Sequence, residues 1–402
     1  MIPAPDNIPL LDDDPFSEAV LSDPRTYQKK LRAAGPVVWL SRYGFYAVGG
    51  YEEVASVLGD WKQYSSARGV GTTDFAKEEP WWGERAVLIE SDPPRHNQIR
   101  AHVMKVLNPR AVADLGTSFR NEANMLLDMV LKSSTFDAQT DIADVYPLKV
   151  FGDALGIDAE NRETLLIFGD LVFNNFGPRN SVLERARKSA DAVGAVEWMR
   201  SRTAREAVRE GSLGRLLHEL SDTGDLTPAE AANVMRGQLA AGVDTTVAAL
   251  GYVFYCFAQN PEQYALVREN SALAVRAFEE AVRLLSPIQS ILRTTTADAE
   301  LAGLPIRADT KIIISNAAAN RDPRKFENPE TFDVMRNVTG HVGFGRGVHT
   351  CVGMHVAKLE AENLLQAFVE KVREVRLAGT PVFKLNNTVR GLASLPLEIQ
   401  LA

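Results

Sequence analysis

The sequence predicts a mainly α-helical protein with a minor β part, and three observations carry that reading. Apolar residues recur at three- and four-residue spacing over 97–107, 116–132, 162–176, 262–269 and 274–285, with Pro or Gly punctuating the gaps. Alternating β-formers are confined to 37–48, which reads as a hairpin around Gly44, and to the neighbourhoods of 289–315 and 381–401. One segment outruns all others, starting at the capping box Thr227-Pro228-Ala229-Glu230 and continuing without an internal proline to about Gln259. At 1.5 Å per residue it spans ~45–50 Å, and its middle, GQLAAGVDTTVAALGYVF, is almost wholly apolar or small. Such a helix belongs at the centre of the fold. Arg236, Gln238 and Asp244 interrupt the run before it reaches the roughly 20 apolar residues that a bilayer crossing needs.

The chain has 402 residues, 45% hydrophobic and 24% charged, with no repeat, no low-complexity stretch and no Gly/Ser-rich linker. One domain over 1–402 is the expectation. A net charge of −8 lacks the basic excess that nucleic acid demands. The opening stretch, MIPAPDNIPLLDDDPF, is broken by prolines and carries Asp12, Asp13 and Asp14, so it reads as neither signal peptide nor membrane anchor. Together with only two cysteines, Cys256 and Cys351, this favours a cytoplasmic protein without disulfides and without a membrane partner. The six histidines show no HExxH or paired ligand spacing, which argues against a zinc or di-metal site.

Chemistry concentrates in the segment 341–353, HVGFGRGVHTCVG, followed by the helix-forming run MHVAKLEAENLLQAFVEKV. It sets one cysteine in a glycine-rich loop just before a helix, where loop amides and the helix N-terminus favour a thiolate and tune a metal bound to it. A free cytosolic cysteine is more often a small buried hydrophobe. Against that stands composition: Phe, Gly, Cys and Gly fall at these offsets by chance roughly once in a few thousand such chains.

The pattern Phe344-x-x-Gly347-x-x-x-Cys351-x-Gly353 resembles the haem-ligand loop of the cytochrome P450 family. That resemblance implies the P450 fold, a long central helix over haem b, with Cys351 as the iron ligand and Phe344 beside it. An anionic sulfur pushes electron density into the iron and favours O–O cleavage. Glu280-Ala281-Val282-Arg283 is similar to a second family signature and implies a structural ion-pair network, not a catalytic one. Ala241-Gly242-Val243-Asp244-Thr245-Thr246 resembles a third: Thr245 would bond a carbonyl one turn back and bend the helix, Gly242 would make room for dioxygen, and Asp244 with Thr245 would relay protons. His96 and Arg100, one turn apart, and Arg293 and His349 match positions that pair with the haem propionates.

Similarity spread over SSARGVGTTDF (65–75), VFNNFGP (172–178), LRTTT (292–296), ANRDP (319–323) and NNTVRGLASLP (386–396) is closest to bacterial P450s that O-demethylate para-substituted benzoates such as 4-methoxybenzoate. It implies Phe173 and Phe176 clamping an aromatic ring, with Leu88, Ala241 and Ile291 completing an apolar box. Arg68 would hold the carboxylate, supported by Thr72, Thr73 and Arg236. This chain departs from the group at Gly237 and Ala240, where two serine hydroxyls are missing, so a phenol, aldehyde or neutral aryl ether is the competing substrate. A hydroxylase of another apolar molecule and a non-catalytic haem gas carrier are the alternatives. With no flavin or iron–sulfur motif in the chain, electrons would come from a [2Fe-2S] ferredoxin and an NAD(P)H-dependent flavin reductase. The ferredoxin would dock near His102, Lys105 and Arg346.

Overall fold

A computed structural model of the protein describes residues 4–80, 84–224 and 226–402. Half of the chain is helical and 12% is strand, as the sequence predicts. Seven helices frame the site: α1 (Arg95–Val106), α2 (Val145–Leu155), α3 (Thr164–Asn174), α4 (Ala195–Arg202), α5 (Pro228–Gln259), α6 (Ala274–Leu285) and α7 (Met354–Lys371).

The long helix forms as its sequence dictates. Thr227 and Glu230 complete a reciprocal capping box, Pro228 opens the first turn, and 32 residues follow without a break. α5 packs against α2, α3 and α6 in the main apolar core. By length and composition α5 could cross a membrane, but 78% of its most apolar window is buried inside the fold, so protein takes up that surface.

The hairpin also appears where alternation places it, as β1 (Val38–Leu40) and β2 (Phe45–Val48), in register Val38 to Ala47. They join β3 (Tyr64–Ser65), β4 (Ile291–Thr295) and β5 (Lys311–Ile314) in one sheet, ordered β1-β2-β5-β4-β3. A smaller pair, β6 (Val382–Lys384) and β7 (Gly391–Ser394), runs beside α5.

α3 ends sooner than the periodicity of 162–176 predicts. The Gly177 N–H donates to the Asn174 carbonyl (3.1 Å), a tight turn that carries Phe176 off the helix. The Glu280/Arg283 pair is fully buried on α6, with Arg283 Nε and a terminal nitrogen donating to the two carboxylate oxygens at 2.6 and 2.8 Å. Arg283 also reaches the carbonyls of Asn320 and Pro329 (2.8 Å each), and Arg336 Nε donates to Glu280 at 3.0 Å. One motif thereby fastens α6 to the segment leading into the cysteine loop.

Candidate active site

A cavity of about 330 Å³ lies between α5 and the loop that precedes α7, lined mostly by apolar side chains. Cys351 opens onto it. The loop turns at Gly347, whose φ of +71° is left-handed and where a Cβ would sit 2.7 Å from the Leu58 carbonyl. The Cys351 N–H then donates to the Phe344 carbonyl (2.8 Å), which aims the sulfur inward. Burial pushes the thiol pKa up, while the Gly353 and Met354 amides and the Arg100 guanidinium pull it down. A bound cation tips that balance to thiolate.

His96 and Arg100 of α1, Arg293 of β4 and His349 of the loop all line this cavity, as does Phe344. Arg293 is buried, bonds among the described residues only to the Leu292 carbonyl (2.8 Å), and desolvation lowers its pKa to about 10. The rings of His96 and His349 lie 4.2 Å apart, and the Nε2 atoms of both are buried without a partner among the described residues. Burial, and then the charges of Arg293, His96 and Arg100, push His349 down to about 2. Such a cluster of donors lacks an anion, which the two propionates of a haem supply. A central metal for the sulfur and a dianionic edge for the bases are what these residues fit.

Across the cavity, Leu88, Phe173, Phe176, Ala241, Ile291 and Arg236 all reach the wall. Phe173 and Phe176 meet edge-to-face, 5.9 Å apart at 85°. Three expected residues do not reach it. Arg68 is held bidentately by Asp74 (2.9 and 2.5 Å) and pairs with Asp309, so its charge is already satisfied by two carboxylates away from the cavity. Thr72 Oγ1 donates to the Gly177 carbonyl (2.9 Å), and Thr73 is likewise absent from the cavity wall. Their loop instead buttresses Phe176, whose carbonyl accepts the Thr72 N–H at 2.9 Å.

The outer wall holds a group that sequence reasoning missed. Glu84 accepts a bond from Arg236 at 2.8 Å through one oxygen and from Arg200 of α4 at 3.2 Å through the other. Glu84 gives no sequence signal, being one acid among several in a loop. Glu360, a second omission, was more legible: it falls at the Val356, Glu360, Leu364 spacing of an apolar helix face. It lines the cavity fully buried, with one oxygen unpartnered, and burial raises its pKa well above the carboxylate range.

Thr245 faces the cavity and its hydroxyl donates to the Ala241 carbonyl at 2.7 Å, yet α5 stays continuous there. Gly242 lines the cavity, but its missing side chain makes room for the Phe151 ring of α2, which a Cβ would approach to 2.5 Å. Asp244 looks elsewhere. At 100° per residue it leaves the face of Ala241 and Thr245 and enters a second cavity of about 120 Å³ with Asp144, Asp170 and Lys384. Lys384 Nζ sits 3.0 Å from Asp170, and Gly169 leaves just enough space for the Asp244 carboxyl, which a Cβ would approach to 2.6 Å. Burial pushes Asp244 up to about 7.

The protein-family model described as Cytochrome P450 matches residues 159–401. Cytochrome p450 CYP199A2 of Rhodopseudomonas palustris is 43% identical over 98% of this chain and 95% of its own length. Cytochrome P450-terp of a Pseudomonas species is 30% identical over 78% of the chain and 76% of its own. Among solved structures, cytochrome P450 CYP109Q5 from Chondromyces apiculatus covers 97% of this chain and 99% of its own, at 30% identity and a TM-score of 0.78. P450BioI, solved in complex with hexadec-9Z-enoic acid ligated acyl carrier protein, covers 95% of this chain and 100% of its own, at 26% identity and a TM-score of 0.84.

Proposed function

The chain belongs to the cytochrome P450 family, and from that premise we propose that this monooxygenase oxidises para-substituted aromatic acids, by O-demethylation of 4-methoxybenzoate-type substrates. Haem b, bound through Cys351, supplies the oxidising chemistry: one atom of O2 enters a substrate C–H bond and the other leaves as water. Arg100, Arg293, His96 and His349 would hold its propionates. Phe173 and Phe176 grip the aromatic ring, and the small Ala241 leaves space for the para substituent. Hydroxylation of a methoxy carbon gives a hemiacetal, which releases formaldehyde and leaves the 4-hydroxy acid.

Thr245 keeps a hydroxyl proton at the cavity wall, and Asp244, titrating near neutrality, passes protons toward it from the second cavity. Electrons arrive from a [2Fe-2S] ferredoxin served by an NAD(P)H-dependent flavin reductase. Arg346 in the cysteine loop and Lys105 on α1 are both exposed and suit an acidic partner, whereas His102 is buried and takes no part.

The observation that carries this reading is the apolar, aromatic-walled cavity with a guanidinium, Arg236, in its wall. Arg236 replaces Arg68 as the carboxylate's anchor. The test is a spectral titration of the ferric protein with 4-methoxybenzoate, followed by formaldehyde measurement with a reconstituted reductase chain. A low- to high-spin shift at micromolar ligand and stoichiometric formaldehyde are expected; a silent spectrum rejects the aromatic-acid substrate.

A further inference from the structure

We propose that Glu84 is a specificity-determining residue: an internal carboxylate that occupies the Arg236 anchor and sets how strongly the cavity prefers an acid over a neutral ligand of the same shape. This deepens, and rests on, the aromatic-acid reading of the same cavity.

Glu84 and Arg236 both line the cavity. Arg236 is only 15% exposed, and its one hydrogen bond among the described residues goes to Glu84 at 2.8 Å. The bond is charge-assisted and only partly screened, since Arg236 is largely enclosed while Glu84 is 39% exposed. The second oxygen of Glu84 is taken by Arg200 at 3.2 Å. Glu84 therefore bridges α4, outside the cavity, to the central helix α5, and both guanidiniums hold its carboxyl below the ordinary carboxylate range. The triad sums to two positive charges and one negative, so a positive charge remains for an incoming anion. A substrate carboxylate must nevertheless share Arg236 with Glu84 or displace it. The other guanidinium on this wall, Arg85, lies over the Phe75 ring at 4.6 Å and has no acid bonded to it among the described residues. At Gly237 and Ala240, on the α5 turns beside Arg236, no hydroxyl is available to compensate.

Neutralising Glu84 should then free Arg236 for acids. The experiment compares 4-methoxybenzoate with 4-methoxytoluene, its uncharged isostere, by spin-state titration and by calorimetry on the holoenzyme, for wild type, Glu84→Gln, Arg236→Gln and the double variant. In Glu84→Gln the preference for acid over ether should rise about tenfold, and in the double variant that gain should vanish. A preference unchanged or lowered in Glu84→Gln, or a gain surviving Arg236→Gln, overturns the proposal. Arg200→Gln, which loosens Glu84 without touching Arg236, should raise the preference in the same direction but less. The outcomes separate the two readings. Wild type that ignores the acid while Glu84→Gln binds it rejects the aromatic acid as substrate and keeps Glu84 as selector; wild type that binds the acid with Glu84→Gln unchanged does the reverse.

Discussion

On the proposed relay, Asp244 is a single side chain that ties proton supply to stability. Its folded pKa of about 7 lies above the 3.8 of an unperturbed carboxyl. The folded chain thus keeps a proton that the unfolded chain has lost, and the associated stability is full below about pH 4 and gone above about pH 7. Asp244→Asn removes that slope. In denaturant titrations from pH 4 to pH 8 the variant should gain on wild type as pH rises, by on the order of 4 kcal/mol at most. Product formation should fall at least roughly tenfold, with NADH consumption persisting as uncoupled turnover. Arg68 makes the opposite case. Because Asp74 and Asp309 already engage it, Arg68→Ala should weaken 4-methoxybenzoate and 4-methoxytoluene by the same factor, through a loosened Phe176 loop; selective loss of the acid in a titration would return Arg68 to the site. That Cys351, His96, Arg100 and Arg293 would meet at one cavity was legible, from the cysteine-loop motif, the one-turn spacing of His96 and Arg100, and, for Arg293, the family resemblance. Arg68 was not, since the fold of its own loop turns the guanidinium onto Asp74, six residues on, and brings Asp309, 241 residues away, to its other side.

Among the elements, α5 and the β1–β2 hairpin formed where the sequence placed them, because capping, alternation and turn chemistry act over a few residues. The end of α3 escaped prediction: Asn174, whose side-chain oxygen accepts the Asn387 N–H at 3.0 Å, is tied to a partner 213 residues on. The Glu280–Arg283 pair shows how far a local motif reaches, since two residues on one turn of α6 organise Asn320, Pro329 and Arg336. Removing one partner leaves a buried charge uncompensated, which costs about 3–5 kcal/mol. Glu280→Ala and Arg283→Ala should accordingly lower the chemical-denaturation midpoint sharply and yield protein depleted of haem. Glu280→Gln, retaining some hydrogen bonds, should lose less.

For the whole molecule, a net charge of −8 coexists with exposed bases, among them Arg346 in the cysteine loop and Lys105 on α1, the helix that brings His96 and Arg100 to the cavity. Steering by such bases is a long-range effect that salt screens. Stopped-flow reduction by an acidic ferredoxin should therefore slow as ionic strength rises, and Lys105→Glu should cut the low-salt rate about threefold or more while flattening its salt dependence. The two cavities beside α5 have a consequence of their own. On the proposed relay, Asp244 answers to the second cavity while Leu88 and Phe176 shape the first. Exchanging Leu88 or Phe176 should then retune which molecules are turned over while leaving the solvent deuterium isotope effect where it was.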